Sequence, residues 1–128
     1  MKKEAKYLGI INDERTAVYG RRIEALMVGQ KKYKEKEYSV SRLAKDLSTN
    51  SRYVSVAIRK SFGQNYSQYV NRLRVEEAKE LLRNPDLGHL RMEDVGDMVG
   101  FVTRQTFQTT FQRLVGMTPL QFRNHERV

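Results

Sequence analysis

The chain contains the same helical unit twice, and this internal repeat constrains the fold more than any other feature of the sequence. The two copies align at an offset of 52 residues before their central break and 53 after it. The matching positions are Leu43 and Val95, Leu47 and Val99, Val54 and Phe107, Ile58 and Phe111, and Gly63 and Gly116. Each copy has a short helix, a tight break, a longer helix and a glycine stop, which is the pattern of a helix-turn-helix.

The rest of the chain also has helical rather than alternating periodicity. Asn12 or Asp13 can cap a first helix that reaches about Gln30, and Ser39 or Ser41 can cap the next. Asn50 can cap the helix after that, and Ser67 can cap a longer helix to about Arg83. We therefore expect an all-α fold, in which a central linker helix joins two helix-turn-helix subdomains and an extra helix precedes them. The predicted segments are 1–37, an N-terminal helix and basic linker; 38–83, the first helix-turn-helix with the connecting helix; and 84–128, the second helix-turn-helix.

The charge balance favours an acidic partner. Lys and Arg number 24 against 15 Asp and Glu, which gives a formal net charge of +9. Nucleic acid and an anionic membrane both suit such a surface, but the repeat favours double-stranded DNA. No apolar run exceeds four residues, so the sequence predicts neither a membrane span nor a signal peptide.

The sequence carries no pattern typical of catalysis or metal binding. There is no cysteine, and neither His89 nor His125 has a second ligand at metal-site spacing. Phosphate-binding glycine loops and nucleophile elbows are also missing. We therefore expect no enzyme activity, no cofactor and no metal site, and the lack of cysteine is typical of a reducing cytoplasm.

Residues in both copies resemble the C-terminal DNA-binding domain of AraC-type transcriptional regulators. The resemblance covers about residues 38–124, and it is most specific in the terminal run Gly116-Met117-Thr118-Pro119-Leu120-Gln121-Phe122-Arg123. Further matching segments are Leu43-Ala44-Lys45-Asp46-Leu47, Arg52-Tyr53-Val54-Ser55, Tyr69 to Ala78, Leu81-Leu82, Val99-Gly100-Phe101, and Phe107 with Phe111. The resemblance implies a bacterial, nucleoid-associated regulator whose two recognition helices read successive major grooves.

Helical periodicity separates an inner from an outer face on each recognition helix. Val54, Ile58 and Phe62 are expected to point inward in the first helix, and Phe107, Phe111 and Leu114 in the second. The residues left to read bases are Arg52, Ser55, Val56 and Arg59 in the first helix, and Arg104, Gln105, Gln108, Thr109 and Gln112 in the second. Arg can donate to O6 and N7 of guanine, and Gln can bond to N6 and N7 of adenine. Ser and Thr can bond to base edges through their hydroxyls, and Val can contact the methyl group of thymine. All of these except Gln112 also align with base-contacting positions of the family that the chain resembles.

Other residues have supporting roles in this interpretation. Lys60, Arg113 and the helix starts near Ser67 and Leu120 are candidates for phosphate contacts. Arg74 is expected to be structural and to pair with an acid. The stretch Lys31 to Glu37 is expected to be a solvated linker or a frayed helix end, with a DNA-binding arm as the alternative. Phe101, Phe107, Phe111 and Phe122 are spaced as a core requires.

Two residues depart from the family pattern in the second unit. Val102 occupies the usual place of a small polar cap, although Thr103 can cap the helix one residue later. Gly96 replaces the usual alanine and is expected to loosen the short helix by up to ~1 kcal/mol. We therefore expect the second unit to be the less stable one.

The sequence thus predicts a sequence-specific transcription regulator that binds double-stranded DNA as a monomer. The alternatives are a protein-interaction module of the transcription machinery and a weakly specific architectural DNA binder. RNA polymerase is a further candidate partner. The chain is expected to be either a stand-alone short regulator or the output end of a longer protein, with any dimerisation domain outside it.

Overall fold

A computed structural model describes residues 13–126, and this part of the chain is almost entirely helical. It contains seven α-helices: α1 (Asp13–Glu24), α2 (Val40–Asp46), α3 (Ser51–Phe62), α4 (Tyr66–Arg83), α5 (Met92–Val99), α6 (Arg104–Val115) and α7 (Pro119–Glu126). Shorter helical turns are the π-type turn Ala25–Gly29 and the 3-10 turns Lys32–Lys34 and Pro85–Leu87. No strand occurs between residues 13 and 126, and the all-α prediction is confirmed.

Most of the predicted helix caps are present. The Ser39 hydroxyl accepts a hydrogen bond from the Arg42 amide at 3.1 Å, and the Asn50 side chain accepts one from Tyr53 at 3.0 Å. Each bond satisfies an amide that the first helical turn leaves without a backbone partner. Of the two candidate caps for α1, Asp13 lies inside the helix and Asn12 lies outside the described residues. The α-helix also ends at Glu24, earlier than predicted, and a π-type turn continues it to Gly29.

The prediction that Ser67 caps the central helix is wrong. Asn65 caps α4 instead: its side chain accepts from the Gln68 amide at 2.8 Å, and the Gln68 side chain accepts from the Asn65 amide at 2.9 Å. This reciprocal pair satisfies two amides at once. Ser67 is the second residue of α4, so it lies inside the first turn of the helix rather than at the cap position.

The chain packs into two compact units. Of the described residues, the first unit holds 13–32 together with Glu37–Val70, and the second holds Tyr33–Lys36 together with 71–126. Helix α4 therefore begins in the first unit and ends in the second. The three-segment division at residues 37 and 83 stays a prediction.

In the first unit, α1 and α2 both pack on α3. Ile23 and Met27 have no exposed surface, and neither do Val54 and Ile58 of α3. The approach of α1 to α3 is close, because a Cβ atom at Gly20 would lie 2.6 Å from the Ser61 Oγ. The N-terminal helix is therefore part of the core of the first helix-turn-helix.

In the second unit, four aromatic rings form a continuous core. Successive ring centroids of Phe101, Phe107, Phe111 and Phe122 are 5.4, 5.8 and 5.5 Å apart, in tilted or edge-to-face arrangements. Such arrangements match the electrostatic preference of aromatic pairs. All four side chains are at most 5% exposed, which confirms their predicted place in the core.

Gly96 also has a packing role in the second unit, beside its expected effect on the helix propensity of α5. Gly96 is buried, and a Cβ atom built on it would lie 2.9 Å from both Cγ and Cδ2 of Phe107. Carbon atoms pack favourably at about 3.5–4.0 Å, so the absence of a side chain lets α5 approach the ring of Phe107. The low helix propensity of glycine accompanies a packing role that the sequence did not reveal.

Candidate nucleic-acid interface

Helix α3 presents a polar surface that begins at its N-terminal turn. Arg52, Ser55 and Arg59 are exposed, as predicted, while Val54 and Ile58 anchor the opposite face in the core. The helix begins directly after the Asn50 cap and ends at Gly63, whose φ is +67°. The cap and the glycine thus fix where the helix begins and ends, and the buried face fixes which side chains are exposed.

The prediction that Val56 faces outward is wrong, because only 4% of the residue is exposed. Helix α3 is packed by α1 as well as by α2. A three-helix arrangement covers more of α3 than a simple two-helix motif would, and Val56 belongs to the covered part. Phe62, predicted to be inward, is partly exposed and stacks on Tyr69 with ring centroids 4.6 Å apart.

Helix α6 presents the second polar surface. Its N-terminal residues Arg104 and Gln105 are exposed, as are Thr109 and Gln112 further along, and Gln108 is partly exposed. Phe107 and Phe111 have no exposed surface and fix the inner face. The outward positions predicted for this helix are therefore available to a partner.

The inner face of α6 differs from the prediction at its C-terminal end. Leu114 is 45% exposed rather than buried, whereas Thr110 is buried at 6%. Thr110 follows Phe107 by three residues and precedes Phe111, so it shares their face of the helix. Leu114 lies in the last turn, beyond the buried aromatic cluster.

The N-terminus of α6 is capped by Thr103. Its hydroxyl accepts from the Thr106 amide at 3.1 Å, so the helix begins at Arg104, as the sequence allowed. Val102 is 65% exposed and precedes the cap. The cap position of this helix is therefore taken by Thr103, and a polar residue at position 102 would lie one residue before it.

The residues predicted to contact phosphate are all exposed. Lys60 and Arg113 are exposed, and the Lys60 Nζ lies 3.7 Å from Asp13 Oδ1 of α1. Ser67 is exposed in the first turn of α4. Helix α7 begins at Pro119, and Thr118 caps it by accepting from the Gln121 amide at 3.1 Å, with Leu120 48% exposed.

The sequence predicts that Arg74 is structural and pairs with an acid, and the structure gives its guanidinium two backbone carbonyl partners. Its Nε donates to the Tyr33 carbonyl at 2.7 Å, and its Nη2 donates to the Glu35 carbonyl at 3.1 Å. The stretch predicted as a solvated linker or frayed helix end therefore holds a buried residue, Tyr33, at 6% exposure. The feature of the sequence that could have predicted this burial is a single aromatic residue within a run of charged residues.

Two other kinds of site do not occur among residues 13–126. No group of three or more His, Asp or Glu side chains there could hold a metal ion. No described helix is long and apolar enough to cross a membrane.

The sequence pattern of a helix-turn-helix domain family matches residues 43–125. A curated relative, an uncharacterized HTH-type transcriptional regulator, YisR, from Bacillus subtilis, is 31% identical over 100 residues, which are 78% of this chain and 33% of the relative. The chain spans a third or less of the length of the curated relatives it matches.

Solved structures match the same fold. The C-terminal domain of AraT, a response regulator from Geobacillus stearothermophilus, superposes with a TM-score of 0.75 at 25% identity, covering 84% of each chain. The DNA-binding domain of AdpA, a global transcriptional factor solved in complex with a target DNA, has a TM-score of 0.74 at 22% identity and covers 84% of this chain and 92% of that one. The resemblance inferred from residues 38–124 is confirmed.

Proposed function

The chain belongs to the AraC-type family of helix-turn-helix domains, and from this premise we propose that it is a sequence-specific regulator of transcription that binds double-stranded DNA. One observation carries the proposal. In each unit, the second helix of the motif exposes polar side chains from its N-terminal turn onward while its opposite face is buried. Recognition helices of this motif contact base edges with their N-terminal residues.

The exposed side chains suit distinct partners in the major groove. We assign Arg52, Arg59 and Arg104 to guanine O6 and N7, because a guanidinium can donate to both acceptors at once. Gln105, Gln108 and Gln112 suit adenine N6 and N7, and Ser55 and Thr109 can bond to several base edges or to phosphate. Val56 is left out of this set because it is buried.

Lys60, Arg113 and Ser67 are assigned to the phosphate backbone. They lie outside the N-terminal halves of α3 and α6, and Lys60 and Arg113 are near the C-terminal ends of these helices. Contacts to phosphate fix the register of a protein on the duplex and carry no sequence information directly. We therefore expect these residues to set affinity rather than base choice.

We further propose that one chain reads two successive major grooves as a monomer. Both helix-turn-helix units belong to the same polypeptide, so a partner chain is not needed to supply the second reader. Recognition helices in successive grooves are about 34 Å apart. Footprinting should then show two protected major-groove patches, about one helical turn apart, for each bound chain. A single protected groove with a dimer in solution would refute this stoichiometry.

The function is tested by selecting bound sequences from random duplexes and titrating the selected site with salt. A regulator should select a defined site and prefer it by ~10³-fold or more over random DNA. Its affinity should also fall steeply with salt concentration, because neutralised phosphates release counterions. Equal competition by random DNA would identify an architectural binder. Affinity for a protein such as RNA polymerase, without DNA selection, would identify an interaction module.

A charge-matched pair of variants separates base reading from general attraction. Arg104→Ala should cost ~1–3 kcal/mol on the selected site and relax base choice at one position. Arg21→Ala removes the same charge from an exposed position on α1 and should leave base choice intact. If both variants weaken all duplexes alike, α6 is not a reader.

A further inference from the structure

The segment Tyr33–Lys36 comes before the first helix-turn-helix in the chain, yet it packs within the second unit. Tyr33 is 6% exposed, and its hydroxyl donates to Glu77 Oε1 at 2.8 Å. Glu77, on α4, is itself only 8% exposed, and the Lys34 Nζ lies 3.2 Å from its other carboxylate oxygen. Buried carboxylates are costly unless they are paired and hydrogen-bonded, and the segment supplies Glu77 with one hydrogen bond and one opposite charge.

Arg74 holds the backbone of the same segment. Its guanidinium donates to the carbonyl oxygens of Tyr33 and Glu35, at 2.7 and 3.1 Å. The guanidinium carbon lies 5.8 Å from the ring centroid of Phe101. Arg74 therefore connects the segment to Phe101, which lies in the turn between α5 and α6.

Gly100 lets the segment approach the end of α5. This residue has a φ of +109°, and a Cβ atom there would lie 2.4 Å from the Tyr33 carbonyl oxygen and 2.9 Å from Arg74 Nε. A side chain at position 100 would be excluded both by the backbone conformation and by the missing space. Lys36 adds an ion pair with Asp97, in the last turn of α5.

These contacts end close to the start of the second recognition helix. Gly100 is three residues before Thr103, the cap of α6. Phe101, which lies beside Arg74, packs on Phe107 of α6 with ring centroids 5.4 Å apart. A continuous set of contacts thus runs from Tyr33 through Arg74 and Phe101 to Phe107.

We propose that Tyr33–Lys36 is a clasp that positions helix α6, so that base reading by the second helix-turn-helix depends on residues that precede the family match at 43–125. Tyr33, Arg74 and Gly100 are positioning residues in this inference, because they act through Phe101 and the cap of α6. The inference rests on the proposed function only where it concerns base reading. The order that the clasp gives to α6 is a property of the protein without DNA.

The smallest test of the clasp is Tyr33→Phe, which removes one hydroxyl and keeps the ring. Glu77 loses a hydrogen bond from the clasp, and hydrogen bonds to charged groups contribute enough to shift an opening equilibrium by about tenfold to a hundredfold. Tyr38→Phe is a matched control in the first unit, where the Tyr38 hydroxyl donates to Asp46 Oδ2 at 2.5 Å.

Amide hydrogen exchange of the free protein provides the measurement. In Tyr33→Phe, amides from Val99 to Phe107 should exchange about tenfold faster or more, while those of α3 and α7 keep their rates. In Tyr38→Phe, the faster exchange should fall in the first unit and leave α6 unchanged. Uniformly faster exchange across the second unit would show a general stabilising role and overturn the clasp, and so would unchanged exchange near α6.

A second measurement uses the duplex selected by the unmodified protein. Tyr33→Phe should reduce discrimination at the bases read by α6 and leave discrimination at the bases read by α3 unchanged. Equal losses at both sets of bases would overturn the positioning role. Failure of the unmodified protein to select any duplex would instead refute the proposed function, and hydrogen exchange would still decide whether the clasp orders α6.

Discussion

The substitution Gly96→Ala distinguishes two explanations of this glycine, because they predict changes of opposite sign in the free energy of unfolding. If Gly96 only weakens α5, then Gly96→Ala should stabilise the protein by up to ~1 kcal/mol, the difference in helix propensity. The structure predicts the opposite, because the new Cβ atom would lie 2.9 Å from Cγ and 3.0 Å from Cβ of Phe107. These atoms are at the base of a fully buried ring, so they cannot move aside as the tip of a flexible side chain would.

The expected magnitude follows from the two opposing effects. Overpacking a well-filled core typically costs ~1–3 kcal/mol, and the propensity gain offsets up to ~1 kcal/mol of this. We expect Gly96→Ala to lower the free energy of unfolding by up to ~2 kcal/mol, as measured by urea denaturation. Hydrogen exchange should place the loss in α5 and α6.

Two further variants make the result interpretable. Gly29→Ala is the matched control, because no atom lies within 4 Å of a Cβ atom there, and it should be neutral or slightly stabilising. Gly96→Ala combined with Phe107→Leu should show favourable coupling, since the smaller side chain relieves the overlap. Stabilisation by Gly96→Ala equal to that of Gly29→Ala would refute the packing argument.

Three other predictions concern the caps, acid stability and the division of DNA contacts. Thr103→Ala should destabilise the protein by ~1 kcal/mol through loss of the α6 cap, whereas Val102→Ser should be nearly neutral; thermal unfolding of both variants checks this. The Arg91 backbone amide, followed by the Arg91 side chain, lowers the pKa of Asp94. Its stabilisation of α5 should be complete above the ordinary Asp pKa of about 4 and lost as pH falls below it; Asp94→Asn should remove that part of the acid dependence of unfolding. Arg52→Ala should relax base choice at one position, while Lys60→Ala should weaken all duplexes equally and reduce the salt slope by about one; equal behaviour of the two variants would contradict the division into readers and anchors.

Local features of the structure could be predicted because the residues that decide them are close in sequence. Asn50 and Thr103 each cap the helix that follows them, and both bonds span three residues. The buried positions of Phe107 and Phe111 follow from their spacing along one helix. The repeat then gave the same interpretation twice, which is why the all-α architecture could be assigned without structural data.

Features decided by distant segments could not be predicted. Whether Val56 is buried depends on what else packs against α3, and the sequence does not show that α1 does. Gly96 looked like a weak helix residue because its neighbour Phe107 is on another helix. The expectation that the second unit is less stable stays a prediction; the structure adds to it a cap on α6 at Thr103 and a packing role for Gly96.

Both units of the chain include residues that precede the helix-turn-helix pattern. In the first unit, α1 contributes Ile23 to the core, and the Arg22 Nη2 donates to the Leu47 carbonyl at 3.2 Å, at the end of α2. In the second unit, Tyr33 supplies a hydrogen bond to the buried Glu77. Shortening the chain to residues 43–125 would therefore expose apolar surface in the first unit and leave Glu77 without the Tyr33 hydrogen bond in the second. The described residues before position 43 thus belong to the folded structure of both units rather than to a separate arm, and any change that displaces them would act on both proposed recognition helices.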